Sequence, residues 1–132
     1  MRGKIDVQGK TSQKASRKPS QQTNDQESAL AHLVCAVVSI EFGVQTSQII
    51  TSTKGPAHLC FARQVVMYLM HVVFQIRLAG VARAFRRDPS TASHACHSIE
   101  EARDDPALDE KLTALEDFLG APALMKTIGD AA

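Results

Sequence analysis

Leu30, Leu33, Val34, Val37, Val38 and Phe42 recur at three- and four-residue spacing, which places them on one face of a helix that Gly43 ends. Helical structure is expected to begin near Asp25 or Ser28, and a short turn of helix covers residues 47–50. Thr51-Ser-Thr-Lys-Gly-Pro56 reads as a linker, with Pro56 placed to start the next helix. That helix, residues 57–73, is apolar almost all round. Phe61, Val65, Tyr68 and Val72 form one line, and Leu59, Val66, Leu69 and Val73 the next. Such a helix belongs in the middle of a bundle. Its one polar strip, Arg63, Met67 and His71 with Gln64 beside it, is expected to reach the surface.

Two shorter helices follow. Leu78, Val81, Ala82 and Phe85 mark the inward side of the first. After Arg86-Arg87, Asp88 is placed to cap the second by accepting the N–H of Ser90 or Thr91. Pro89 at the first helical position costs no hydrogen bond. Ala92, Ala95, Cys96, Ile99 and Ala102 form its buried side, small enough for close approach. The device recurs at Asp105-Pro106, with Leu108, Leu112, Leu115 and Leu119 inward until Gly120-Ala-Pro122 stops the helix. The expected fold is all-α, a compact bundle of about five to six helices containing a helix-turn-helix. Residues 1–24 read as a flexible basic arm, 25–120 as the helical domain and 121–132 as a tail. With no Trp and one Tyr, the core is aliphatic, which suits helices.

The net charge of +1 hides a division along the chain. Lys54, Arg63, Arg77, Arg83, Arg86 and Arg87 face a single acid, Asp88, through the centre, whereas residues 100–117 oppose eight acids to Arg103 and Lys111. A basic centre can bind a polyanion whatever the total. Cys35, Cys60 and Cys96 form no disulfide framework and no CxxC pair, which points to a reducing cytoplasm. No segment has the length of a membrane span, no GxxxxGK[ST] loop could hold a nucleotide, and no cofactor is implied. His94, Cys96 and His97 lack a further ligand at metal spacing, and no constellation supports an enzyme.

The helix opened by Asp88 carries its hydrogen-bonding side chains outward: Ser90, Thr91, Ser93, His94, His97 and Ser98. They gather toward its N-terminal half, the part that faces base edges when such a helix lies in a major groove. The helix N-terminus is expected to offer N–H groups to a phosphate, and Arg86 and Arg87 stand just before it. Helix-turn-helix geometry also occurs in proteins that never touch DNA, so pattern and charge alone leave both readings open.

The stretch Cys60-Phe-Ala-Arg-Gln-Val-Val-Met-Tyr-Leu69, followed by Val81-Ala-Arg-Ala-Phe-Arg-Arg-Asp-Pro-Ser-Thr-Ala-Ser-His-Ala-Cys-His-Ser-Ile-Glu100, resembles the C-terminal duplex-binding domain of the bacterial replication initiator DnaA. That family's pattern is ARQ-x-x-MYL and then F-G-x-R-D-H-T-T-V-x-H-A; the resemblance covers roughly residues 29–119. It implies that Arg63 and Gln64 approach the DNA backbone, that Arg87 and Asp88 lie at the start of the recognition helix, that Ser90 and Thr91 reach base edges and that His94 contacts phosphate; the residue pattern itself adds Ser93 to the base-facing side and Arg86 and His97 to the phosphate side. The family's base-reading His corresponds to Pro89, which has no donor, and its Val to Ala92. One residue is missing between Phe85 and Asp88, and only Lys54 represents the basic loop that reaches the minor groove.

Taken together, double-stranded DNA is the expected partner, with regulation of transcription or replication in the cytoplasm, at the nucleoid, as the expected setting. No membrane or nucleotide partner is expected. The rival is a protein-interaction module that keeps the fold, contacting its partner through the acidic last helix or the 122–132 tail; it is motivated by Pro89, by His97 and Ser98 where the family often has cations, and by the acidic end of the chain.

Overall fold

The computed structural model describes residues 19–51 and 55–121. The basic arm up to residue 18, the linker residues 52–54 with Lys54, and the tail from 122 lie outside the described residues. Within them the chain forms six helices and no strand: α1 Pro19–Phe42, α2 Thr46–Thr51, α3 Ala57–Val72, α4 Leu78–Ala84, α5 Pro89–Ala102 and α6 Pro106–Leu119.

α3 is the axis of the bundle. Val65, Val66, Leu69 and Met70 are wholly enclosed, with α1 and α5 packed on it and α4 closing the gap between those two. Val34, Cys35 and Val38 come down from α1, Val81 and Ala82 from α4, and Ala92, Ala95 and Ile99 from α5. Ala is what lets α4, α5 and α3 approach so closely, because each larger side chain would hold the axes apart. α1 ends where Gly43 adopts φ 68° and Val44 N–H reaches back to Ser39 O at 3.1 Å, closing the last turn.

Two expectations are corrected. α1 starts at Pro19, well before Asp25, so residues 19–24 are helical and not part of an arm. The reason is tertiary: Glu27, 13% exposed, pairs with Arg83 of α4 at 2.9 Å. Gly80 leaves room for it, since a Cβ there would lie 2.5 Å from the Glu27 carboxylate. That contact gives the polar first turns of α1 a surface to rest on. The strip of α3 expected at the surface is largely inside, with Arg63 5% and Met67 1% exposed. Arg63 tolerates burial because Nε donates to Ile49 O at 2.9 Å and Nη2 to Gln48 O at 3.3 Å. Those are terminal carbonyls of α2, which have no partner within so short a helix.

α6 is fastened by apolar and ionic contacts together. Leu112, Leu115 and Leu119 are buried. Arg103, at the end of α5, donates to Asp109 Oδ1 (2.6 Å), Glu116 Oε2 (2.7 Å) and Thr113 Oγ1 (2.9 Å) on α6, and to the Tyr68 hydroxyl of α3 at 3.0 Å. Burial works against the charged guanidinium, but the bonds to Glu116, Asp109 and Tyr68 outweigh it and raise its pKa. Lys111 adds a 3.6 Å pair with Glu41 and stands 5.0 Å over the Phe42 ring.

These two arginines of unlike burial give a test. Arg103→Ala strands two carboxylates and two hydroxyls and is expected to lower unfolding stability by about 2–3 kcal/mol in urea titrations. Arg83→Ala removes a guanidinium that is half exposed and makes a single ion pair, and is expected to cost less, about 1 kcal/mol. Equal losses would refute the account of how α6 is held.

Candidate nucleic-acid interface

The turn between α4 and α5 places the basic and hydroxylic residues side by side. Arg86 N–H donates to Arg83 O at 3.0 Å and Arg87 N–H to Ala82 O at 2.8 Å, the same helix-ending pattern that closes α1. At the pivot of the first such ending stands Gly43; here it is Arg86, at φ 56°. The DnaA pattern has Gly after the Phe, and this chain has Arg86 after Phe85. An L-residue there is strained by about 1–2 kcal/mol. The chain therefore carries a cation where local backbone energetics favour glycine, and strain of this kind gathers at functional sites.

Asp88 caps α5 as expected: Ser90 N–H donates to Oδ2 at 2.9 Å, and the Ser90 hydroxyl donates to the same oxygen. This hydroxyl and N–H hold the Asp88 carboxyl below the usual carboxylate range. The cap corrects one expectation. Pro89 has no N–H, Ser90 N–H is taken by the cap, and Thr91 N–H donates to Asp88 O at 2.9 Å. The first turn of α5 thus presents no unused N–H to a phosphate, and the Asp88 carboxylate adds negative charge there. Anion binding at this end has to come from the side chains of Arg86 and Arg87.

Ser93, His94 and His97 are exposed on α5, Thr91 is half-buried, and Ala92, Ala95, Cys96 and Ile99 face inward. Ser90 is exposed too, but its proton is committed to Asp88, so toward a ligand it can only accept. His94 Nε2 stands 3.4 Å from Ser98 Oγ, and His97 Nε2 stands 3.4 Å from Glu101 Oε2 one turn on. The acids Glu100 and Glu101 occupy the outer face beyond His97. Like charges would repel phosphates there, so a duplex would approach the part of α5 that precedes Glu100.

Between α3 and α5 lies a notch of about 150 Å³ that brings together Arg63, Gln64, Arg87, Thr91 and His94. Arg63 forms part of its wall while bonded to α2, so it positions its neighbours more than it projects outward. Arg87 also borders a second, larger groove of about 570 Å³, where Arg83 and Arg86 face Asn24, Ser28 and His32 of α1. The sequence reading passed over that α1 ridge. Its signal was present: Asn24, Ser28 and His32 are spaced by four, on a side that the apolar face leaves clear.

The two buried thiols, Cys35 and Cys96, offer no nucleophile. Burial pushes Cys35 up to about 12, although nearby Arg63 pulls the other way, and burial pushes Cys96 up to about 11. Nucleophilic attack needs thiolate, which neither supplies at neutral pH. Among the described residues no group of three His, Cys, Asp or Glu side chains could hold a metal, and no helix is long and apolar enough to cross a membrane.

The sequence profile of the bacterial dnaA protein helix-turn-helix matches residues 31–99, from the middle of α1 to the third turn of α5. A solved DNA replication initiation factor superposes with a TM-score of 0.61 at 25% identity, over 93% of this chain and 37% of that one. The chain therefore spans little more than a third of that protein. No curated protein matches the sequence.

Two predictions follow from the turn and the cap. Arg86→Gly removes the strain and is expected to stabilise the fold by about 1 kcal/mol in urea titrations, whereas Arg86→Ala gives no such gain. Asp88, with its pKa depressed on folding, contributes stability that is present above its unfolded value near 4 and lost as pH falls through the folded one. Thermal midpoints are therefore expected to fall less steeply with acidification below about pH 4 in Asp88→Asn than in the parent. Parallel curves would show that the cap does not form.

Proposed function

The chain belongs to the bacterial dnaA helix-turn-helix family, and from that membership we propose that it binds double-stranded DNA sequence-specifically, as a single reading head. The observation that carries this reading is the notch where α3 and α5 gather Arg63, Gln64, Arg87, Thr91 and His94. Thr91 and Ser93 read base edges, and Ser90 accepts from them. Arg86, Arg87, Gln64, His94 and His97 meet phosphates, together with Lys54 of the linker, while Arg63 holds the notch in shape. Pro89 reads nothing, so base preference differs from that of relatives with His at this point.

Nothing in these residues performs chemistry; reading DNA, and through it regulating transcription or replication at the nucleoid, is the role they fit. A protein partner on α6 is supported by a different observation: Phe118 is 56% exposed on that acidic helix. Pull-downs with and without nuclease separate a partner bound through DNA from one bound directly.

Neutralising about 3–5 phosphates makes log affinity fall with log salt at a slope of about −3 to −5 in anisotropy titrations with duplex. Thr91→Ala is expected to lose ~1–3 kcal/mol of discrimination at one base pair, and Arg87→Ala to weaken all sequences alike. Absence of duplex binding at low salt would overturn the proposal, and identical behaviour of the two variants would overturn the division of roles.

A further inference from the structure

The groove between α1 and the α4–α5 turn is not explained by the helix-turn-helix. Three guanidinium groups, Arg83, Arg86 and Arg87, face one carboxylate, Glu27, and that carboxylate is already paired with Arg83 at 2.9 Å. The opposite wall is the ridge of Asn24, Ser28 and His32, whose ring is steadied by Nδ1 against Ser28 O at 2.8 Å. A cleft where the exposed Arg86 guanidinium stands across from short polar donors suits a phosphodiester. Arg87 borders both this groove and the notch beside Thr91, so the two cavities adjoin. A backbone passing the notch is led into the groove.

We propose that this groove seats phosphates of the duplex flanking the segment read by α5, making Asn24 and Ser28 of α1 DNA-positioning residues. From Asn24 to His32 the ridge runs about 12 Å, the axial length of three to four base pairs. Asn24 and Ser28 lie ahead of the segment matched by the family, residues 31–99. This contact also gives Arg86 a use that offsets its strained backbone: from the pivot of the turn its side chain borders the groove. The inference rests on duplex binding as proposed above and extends its footprint.

Ser28 is exposed and helical, so either charge can be placed there without disturbing the core. The test uses the full chain and a fluorescent duplex of about 24 base pairs, two helical turns. Ser28→Lys is expected to tighten binding about fivefold and to steepen the salt slope by about one; Ser28→Glu is expected to weaken binding to a similar degree. Ala114→Glu, on the exposed side of α6, makes the same change in net charge and is expected to shift affinity less than about twofold. If both Ser28 variants bind like the parent, or Ser28→Glu merely matches Ala114→Glu while Arg87→Ala still weakens binding, the groove is no contact and the helix-turn-helix reading stands. If the parent itself fails to bind duplex, both readings fall.

Discussion

α3 buries nine of its sixteen residues, one of them a charged arginine, and this enclosure fixes where every other helix can go. A helix buried around most of its circumference must be covered on most sides, so α1, α2, α4 and α5 pack around it. Arg63 makes the arrangement unique. Its guanidinium has to find acceptors inside, and the carbonyls of Gln48 and Ile49 at the end of α2 are the ones it takes. A buried charge without partners costs several kcal/mol, so this pair of bonds ties α2 to α3. The residue is thus structural first, and its place in the notch beside Thr91 follows from that.

The reading helix inherits its aim from this frame. Its alanines lie against α3 and α4, so its hydroxyls and imidazoles have only the outward side to occupy. Asp88 starts the helix and in doing so consumes the N–H groups that an anion would otherwise meet. Positive charge consequently comes from the turn, where Arg86 holds a conformation better suited to glycine. At the other end Glu100 and Glu101 place negative charge that would repel phosphates. The proposed interface is short, bounded by a cap on one side and acids on the other.

The local features were legible from residue order. Apolar spacing located α3, α5 and α6, and Asp-Pro pairs located the starts of α5 and α6, because a cap and a helix face are decided within a few residues. Long-range partners were not. Arg63 reads as a surface residue until Gln48 and Ile49 are brought beside it. Arg103 looked like a stray cation among acids, yet it joins α5, α6 and Tyr68. The start of α1 was misplaced because the contact that supports its first turns, Glu27 with Arg83, spans 56 residues. The polar ridge of α1 shows as a spacing of four, but nothing in its own sequence says that Arg83 and Arg86 stand opposite.

The most direct check is a residue-resolved amide NMR titration of the protein with short duplex DNA. The account requires the largest shifts to fall on the turn at Arg86 and Arg87 and on the first two turns of α5, with α6 and the acidic end of α5 unmoved. Shifts concentrated on α6, with Thr91, Ser93 and His94 unchanged, would contradict it.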